Sequence, residues 1–351
     1  MQVIDTANHS TAASKIIDMY NVGAPGTDVA ACKTADERLL AVSTQGKAGK
    51  QAVGRVLLFT VADDGKLTFK KEFGTVGSLP DQVRKVPTSA LHGGPLIFYT
   101  RSHRGWSLTC ACRHRRAQQA LKQQSRRAEG APVRGAVQIK WTKDCMHIIA
   151  AIEGEAALTG TTTGSVTLDN PLGGVAVLKF TGKVADDTAA AFKFYDFKEY
   201  VTANSAAMIK DGVRWCVRPD TRTIFDKNEA SATIAADMAT LERDLEPEYL
   251  ALSSDGKKVY VALQEASAIA TFDLGTNKFT NVKALAAKNW AETEDGLDAS
   301  NKDSADGDAT INMQKWPIFG MLMPDTIDIY TATDGKEYIV TANEGDDKVT
   351  A

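Results

Sequence analysis

Acidic residues recur in this sequence at two kinds of position, each beside a short apolar segment. Some follow a proline and open the segment, whereas others follow the segment in small clusters. These residues are Asp81, Glu153, Glu155, Glu248, Glu265, Asp325, Glu344 and Asp346. Carboxylate oxygens are the preferred ligands of Ca²⁺, which takes about 6 to 8 of them. Collected at one place, these side chains would form a site for a divalent cation, with Ca²⁺ as the candidate.

The segments beside these acids have the period-2 alternation of β-strands. The clearest unit runs from Glu246 to Val282, EPEYLALSSDGKKVYVALQEASAIATFDLGTNKFTNV. Apolar residues alternate along it, and its Ser-Asp-Gly and Gly-Thr-Asn triplets are turns, because Gly and Asn tolerate positive φ. The unit predicts four short antiparallel strands in about forty residues, which is the size of one β-propeller blade.

The same pattern recurs in the segments 24–46, 139–156 and 323–346. Each has a strand, a turn containing Asp, a second strand and a polar cluster. The sequence therefore predicts an all-β fold, a β-propeller with YVTN/WD-like blades. About five blade-like units are recognisable, so we expect an incomplete ring with exposed strand edges.

Propeller topology predicts where the acids lie. The innermost strand of a blade begins on the face where the antiparallel second strand ends, so acids that open the first strand and acids that follow the second should gather there. A ring of carboxylates on that face would bind a hard cation. The alternative is an acidic, solvated face on which Pro and Glu only shape turns.

Residues 83–138 differ in composition from the rest of the chain. This window holds 11 Lys and Arg against the single acid Glu129, whereas the remainder holds 30 basic and 43 acidic residues. An arginine-rich arm that binds nucleic-acid phosphates is one interpretation. Zinc on Cys110, Cys112, His103 and His114 is another, but their spacing lacks the usual separated pairs. We favour a foreign or disordered insert, in which a helix over residues 115–129 is still expected from composition.

Removal of the window restores a blade. Joining Gln82 to Ile139 gives SLPDQIKWTKDCMHIIAAIEGEA, which supplies the Pro-Asp opening that the segment 139–156 otherwise lacks. Val codons begin with GT and the Gln codon CAG ends in AG, so the window has the edges of a retained phase-zero intron. The expected organisation is an N-terminal extension (1–20), propeller blades (21–82), the insert (83–138) and further blades (139–351).

A second acidic segment, ETEDGLDASNKDSADGD, lies within the predicted loop 291–310. Its composition is that of a calcium loop, but it lacks the D-x-D-x-D-G…E spacing of an EF-hand. We interpret it as a solvated insertion between blades.

Several other classes of protein are disfavoured by the sequence. Five scattered cysteines do not predict a disulfide framework. No apolar run reaches the ~18 to 20 residues of a membrane helix, and the first residues do not predict a secretory signal. G-x-S-x-G, G-x-G-x-x-G, P-loop and H-E-x-x-H motifs do not occur, so nucleophilic catalysis is not expected.

The wording from Glu246 onward resembles a known family. The segments DLEPEYLALSSDGKKVYVALQEASAIATFDL, GLDASNKD, INMQKWPIFGMLMPDTIDIY and YIVTANEGDDK are similar to those of the choice-of-anchor I family, which includes mesenchyme-specific cell surface glycoproteins. The resemblance implies a secreted or surface-anchored β-propeller, mostly without an assigned reaction. Some bacterial members are called phosphatases.

Together these observations predict a non-catalytic recognition or scaffold module of a secreted or cell-surface protein. Its partner would be an extracellular protein or a glycan, with no membrane span and no nucleic acid. The alternative is a metal-dependent phosphoesterase, in which the cation would hold a substrate phosphate and polarise water.

Overall fold

The structure of the chain is a computed structural model. The chain divides into two compact units, one formed by residues 1–77 and 132–351 and the other by residues 78–131. The structure describes the residues 2–4, 16–24, 26–44, 54–74, 98–102, 105–109, 136–159, 167–187, 190–218, 223–225, 231–233, 236–294, 296–300 and 311–345.

Short β-strands make up most of the described secondary structure. In chain order they are β1 (Gln2–Ile4), β2 (Ile16–Met19), β3 (Gly26–Lys33), β4 (Arg38–Thr44), β5 (Arg55–Val61), β6 (Leu67–Gly74), β7 (Phe98–Ser102), β8 (Gly105–Thr109), β9 (Ala136–Trp141), β10 (His147–Ile152), β11 (Ala157–Thr159), β12 (Thr167–Asp169), β13 (Gly174–Lys179), β14 (Phe192–Asp196), β15 (Thr223–Phe225), β16 (Ser231–Thr233), β17 (Pro247–Leu252), β18 (Lys258–Leu263), β19 (Ala268–Asp273), β20 (Lys278–Ala284), β21 (Lys288–Asn289), β22 (Leu297–Asp298), β23 (Met313–Gln314), β24 (Phe319–Gly320), β25 (Pro324–Thr331) and β26 (Glu337–Asn343). The described α-helices are α1 (Lys198–Asp211) and α2 (Leu241–Asp244), and Val184–Asp186 form a short 3₁₀ helix.

Among the described residues of the larger unit are three four-stranded antiparallel sheets, and each has the strand order of a propeller blade. The first blade is β3-β4-β5-β6, the second is β9-β10-β13-β14 and the third is β17-β18-β19-β20. The pair β25-β26 is one of several two-stranded sheets in the same unit, and we call it the fourth sheet because its inner strand β25 packs beside β17 of the third blade. The prediction of an all-β propeller built from four-stranded blades is therefore confirmed.

The blades pack against one another through their apolar faces. In β10, Ile148 and Ala150 belong to the core shared with the first blade, whereas Ile149 and Ala151 belong to the core shared with the third. Because side chains alternate across a strand, both faces of β10 are buried, which explains why its sequence HIIAAI is almost continuously apolar.

Neighbouring blades are also joined by polar contacts between their inner strands β3, β9 and β17. The carboxylate of Asp28 accepts a hydrogen bond from the backbone N–H of Ile139 at 3.0 Å. The indole N–H of Trp141 donates to the carbonyl of Ala30 at 3.1 Å. The inner strands therefore lie in the order of a propeller.

A disulfide joins Cys32 to Cys145, although the five scattered cysteines did not predict a disulfide framework. The two residues are 113 positions apart in the sequence, with Cα atoms 5.9 Å apart. Cys32 lies in β3 and Cys145 in the turn after β9, so the bridge joins the first and second blades. Cysteine counting missed the bridge because only the adjacency of the two blades brings these positions together.

Helix α1 was not predicted from the sequence. Only Val201 and Met208 of its fourteen residues are buried, so its apolar stripe is too narrow to identify. It packs on β20, where the hydroxyl of Tyr200 accepts a hydrogen bond from the N–H of Val282 at 3.2 Å. The helix covers the outer edge of the third blade, which would otherwise be open for pairing.

The predicted boundary at residue 139 lies inside a strand, because β9 begins at Ala136. The buried side chain of Gln138 accepts a hydrogen bond from the N–H of Leu250 at 2.5 Å and so links the second blade to the third. The basic window also contains the hairpin β7-β8. The predicted helix over 115–129 and the candidate zinc ligands Cys110, Cys112, His103 and His114 lie outside the described residues.

Candidate functional site

Five glutamates from the second and third blades form an acidic group, which we call the carboxylate cluster. Two follow the end of β10, two flank the start of β17 and one follows β18. They are Glu153, Glu155, Glu246, Glu248 and Glu265. Strand β17 begins where β18 ends, since the pair is antiparallel and Pro247 lies opposite Leu263. The topology therefore brings these acids together at one end of the two blades.

Glu153 lies at the electrostatic centre of the carboxylate cluster. Burial raises its pKa well above the usual 4.5, and the negative charges of Glu155, Glu246, Glu248 and Glu265 raise it further. Burial disfavours a charged carboxylate, and four nearby carboxylates disfavour it again. The site therefore favours a bound proton on Glu153, or a cation in its place.

Hydrogen bonds fix two members of the cluster. Glu246 is buried, and its carboxylate accepts a hydrogen bond from the N–H of Ala156 at 3.0 Å. The amide nitrogen of Gln264, turned toward Glu248, donates to both of its carboxylate oxygens at 2.7 and 3.0 Å. These donors hold the carboxylates in place.

The backbone segments at Gly154 and Gly173 lie in close contact beside the carboxylate cluster. Gly154 has a φ of 71°, and a Cβ atom there would lie 2.6 Å from the backbone nitrogen of Gly173. A Cβ atom on Gly173 would lie 2.4 Å from the carbonyl oxygen of Glu153 and 2.5 Å from that of Leu245. Only glycine fits at these two positions, because any side chain on Gly173 would collide with the backbone of Glu153 and Leu245.

Two further predicted site residues, Asp325 and Glu344, lie at the start of β25 and after β26. In the fourth sheet, the carboxylate of Asp325 accepts a hydrogen bond from the hydroxyl of Thr326 at 2.9 Å. After β26, the N–H of Glu344 donates to the carbonyl of Met323 at 3.2 Å. Asp81 and Asp346 lie outside the described residues.

Among the described residues, no three His, Cys, Asp or Glu side chains are arranged to hold a metal ion. The carboxylate cluster is thus an electrostatic grouping without a preformed coordination shell. Glu246 was not among the predicted site residues, because it precedes Pro247 whereas the other opening acids follow a proline. Its repeat position directly before the inner strand was the available signal.

In the second acidic segment, a strand pairing and a side-chain hydrogen bond hold the described residues. Its strand β22 pairs with β23, and the indole N–H of Trp316 donates to the carbonyl of Leu297 at 2.7 Å. Glu292 and Glu294 are exposed. Residues 301–310 lie outside the described part of the chain.

Comparison with known proteins identifies a family. The model of the choice-of-anchor I domain matches residues 121–350, which is more than half of the chain. A comparison with curated proteins found no match. None of the helices in the described ranges has the length and apolar character needed to span a membrane.

Several solved structures are similar at low identity. A periplasmic gluconolactonase of Pseudomonas aeruginosa is 14% identical, with 87% of this chain and 69% of that chain covered and a TM-score of 0.32. A putative 6-phosphogluconolactonase of Bacteroides uniformis is 11% identical, with 90% and 77% covered and a TM-score of 0.26. A β-propeller domain from Myceliophteria thermophila is 9% identical, with 91% and 84% covered and a TM-score of 0.22. Similarities of this extent say nothing about activity.

Proposed function

Because the chain belongs to the choice-of-anchor I domain family, we propose that it is a non-catalytic recognition module of a secreted or cell-surface protein. The carboxylate cluster is the observation that carries this proposal, since it concentrates negative charge at one end of two adjacent blades. The Cys32–Cys145 disulfide supports a secreted or cell-surface location, because disulfides persist in oxidising surroundings outside the cytosol.

We propose a divalent cation, with Ca²⁺ as the candidate, as the ligand of the carboxylate cluster. A cation would neutralise the charges that now raise the pKa of Glu153, and it would take the place of the proton. Glu153, Glu155, Glu248 and Glu265 are the candidate ligands in this cluster. Asp81, Asp325, Glu344 and Asp346 stay candidates from the sequence pattern.

Binding should be weak, since the described residues offer no three-ligand group before the ion arrives. The side chains must rearrange around the ion, which lowers affinity relative to a rigid site. We expect a Kd in the range of extracellular calcium modules, about 10⁻⁴ to 10⁻³ M.

Calcium titration of the full chain tests this proposal. The melting temperature should rise with millimolar CaCl₂, because a ligand that binds only the folded state stabilises it. The variant Glu153→Gln should lose most of this rise. The control Glu292→Gln, which removes an exposed acid outside the cluster, should keep it. Equal responses of the two variants, or no response of the wild type, would overturn the cation proposal.

The phosphoesterase alternative is tested on the same samples. Hydrolysis of p-nitrophenyl phosphate, with and without CaCl₂, should stay at the buffer rate for the wild type. Turnover that disappears in Glu248→Gln or Glu344→Gln would replace the recognition module with an enzyme.

A further inference from the structure

A cleft of about 380 Å³ lies between the second and third blades. Its walls are the end of β14, the first turns of α1 and the turn that leads into β20. No member of the carboxylate cluster lines it. Its volume falls within the range of small-molecule sites, about 300 to 1,000 Å³.

Aromatic rings form the apolar wall of the cleft, and a ring contact or a hydrogen bond to a neighbouring residue fixes each of them. Phe279 stacks on Phe197 with ring centroids 3.9 Å apart. Tyr195 packs against Phe272 with centroids 5.4 Å apart. Tyr200 is fixed through its hydroxyl, as described for Val282. The wall is therefore preorganised, which reduces the entropy lost on binding.

Polar groups of both hydrogen-bonding types surround this wall. Lys278 and Glu199 form an ion pair of 2.5 Å, with side chains 57% and 77% exposed. The amide of Asn204 donates to the carbonyl of Tyr200 at 2.9 Å. The carboxylate of Asp196 accepts a hydrogen bond from the N–H of Lys198 at 2.9 Å. Acceptors and donors thus face the same small volume.

We propose that this cleft binds a neutral saccharide of one or two sugar rings. The C–H face of a sugar would pack on the aromatic wall, while its hydroxyls, which both donate and accept, would bond to the carboxylates, the amide and the ammonium group.

Other ligand classes fit the cleft less well. The carboxylates of Asp196 and Glu199 would repel a phosphate, and the ammonium group of Lys278 would repel a quaternary ammonium. A wholly apolar ligand would leave the polar groups without water. The saccharide proposal does not depend on a cation in the carboxylate cluster.

A filling substitution on α1 tests the site with little risk to the fold. Ala203 is exposed and lines the cleft, so Ala203→Trp should occupy the sugar position. Ile209 is exposed on the same helix and does not line the cleft, so Ile209→Trp is the matched control. Both variants should melt within a few degrees of the wild type, since surface substitutions change stability by about 0.5 kcal/mol or less.

Methyl glycosides of glucose, galactose, mannose and N-acetylglucosamine are the probes, measured by titration calorimetry and ligand-observed NMR in buffer with EDTA. At least one should bind the wild type and Ile209→Trp equally, and Ala203→Trp at least tenfold more weakly. A glycan array then distinguishes a free sugar from a protein-linked glycan as its source. The saccharide site would be overturned if no glycoside bound at millimolar concentration, or if Ala203→Trp bound as tightly as the wild type. Because EDTA removes calcium, this outcome is independent of the calcium titration.

Discussion

Cys145 occupies in the second blade the turn position that Gly256 occupies in the third, and both residues have positive φ, 58° and 70°. The N–H of Cys145 donates to the carbonyl of Thr142 at 2.9 Å, and that of Gly256 to Ser253 at 2.8 Å. The left-handed conformation costs a non-glycine residue about 1 to 2 kcal/mol. The disulfide to Cys32 offsets this cost at the turn of the second blade.

Without the disulfide, glycine should be the better residue at position 145. In a Cys32→Ser background, Cys145→Gly should be more stable than Cys145→Ser by about 1 kcal/mol, because only serine keeps the left-handed strain. Urea unfolding gives both free energies. A serine variant as stable as the glycine variant would contradict the strain at this turn.

The disulfide itself should stabilise the two blades substantially. In the chain-entropy account, a bridge that closes a loop of about 100 residues contributes up to about 4.7 kcal/mol, and the loop here spans 113 positions. We expect the double variant Cys32→Ser/Cys145→Gly to lose about 2 to 4 kcal/mol of unfolding free energy. A non-reducing peptide map should show the Cys32–Cys145 link, and a wild type unaffected by dithiothreitol would count against it.

The pH dependence of stability should report the carboxylate cluster. The pKa of folded Glu153 is raised above the 4.5 of an ordinary glutamate. The contribution of Glu153 to the free energy of unfolding is therefore fully present below pH 4.5, and it is lost as the pH rises through the raised pKa of the folded state. Between the two values, this group alone should lower the unfolding free energy by up to about 1.4 kcal/mol per pH unit.

Glu153→Gln keeps the shape of the protonated side chain and removes its titration. Urea unfolding of wild type and variant from pH 5 to 8 isolates the effect, because all other groups titrate in both proteins. The variant should gain stability relative to the wild type as the pH rises. Parallel stability curves would show that Glu153 titrates normally.

Much of the fold could be predicted because its signals are local. Alternation between Glu246 and Val282 predicted β17 to β20, and the Ser-Asp-Gly and Gly-Thr-Asn triplets predicted the turns after β17 and β19. In the third blade, the hydroxyl of Ser253 donates to Asp255 at 2.6 Å, while Asp255 accepts from the N–H of Lys257 at 3.0 Å. Such turns are encoded within a few residues, so sequence patterns reveal them.

Features that depend on contacts between blades could not be read from the sequence. Cys32 meets Cys145, and Gln138 meets Leu250, only after the blades lie side by side. The approximate place of the carboxylate cluster was predictable from antiparallel topology. Its full membership was not, because Glu246 precedes Pro247 instead of following a proline and belongs through the fold of its loop.

The close approach at Gly173 should make this position intolerant of any side chain. A Cβ atom would lie 2.4 Å and 2.5 Å from two backbone oxygens, and backbone cannot move aside cheaply. Gly173→Ala should therefore cost about 1 to 3 kcal/mol or more. Gly182→Ala, where nothing lies within 4 Å, should change stability by less than about 0.5 kcal/mol. Similar unfolding free energies for the two variants would contradict the packing described under Glu153.

Deletion of residues 83–138 should leave the second blade intact. The deletion joins Gln82 to Ile139, so a glutamine again precedes Ile139 and can accept the hydrogen bond from the N–H of Leu250 that Gln138 now accepts. It also places Pro80 and Asp81 at the two positions that Pro247 and Glu248 hold at the start of β17 in the third blade.

We expect the shortened chain to unfold cooperatively and with no loss of stability. Gln82→Ala in the shortened chain should cost about 1 to 3 kcal/mol, because the buried N–H of Leu250 then lacks its acceptor. Urea unfolding measures both effects, and sequencing of transcripts should find messages that lack the window. A shortened chain that fails to fold, or transcripts that all contain residues 83–138, would make the window part of the native protein.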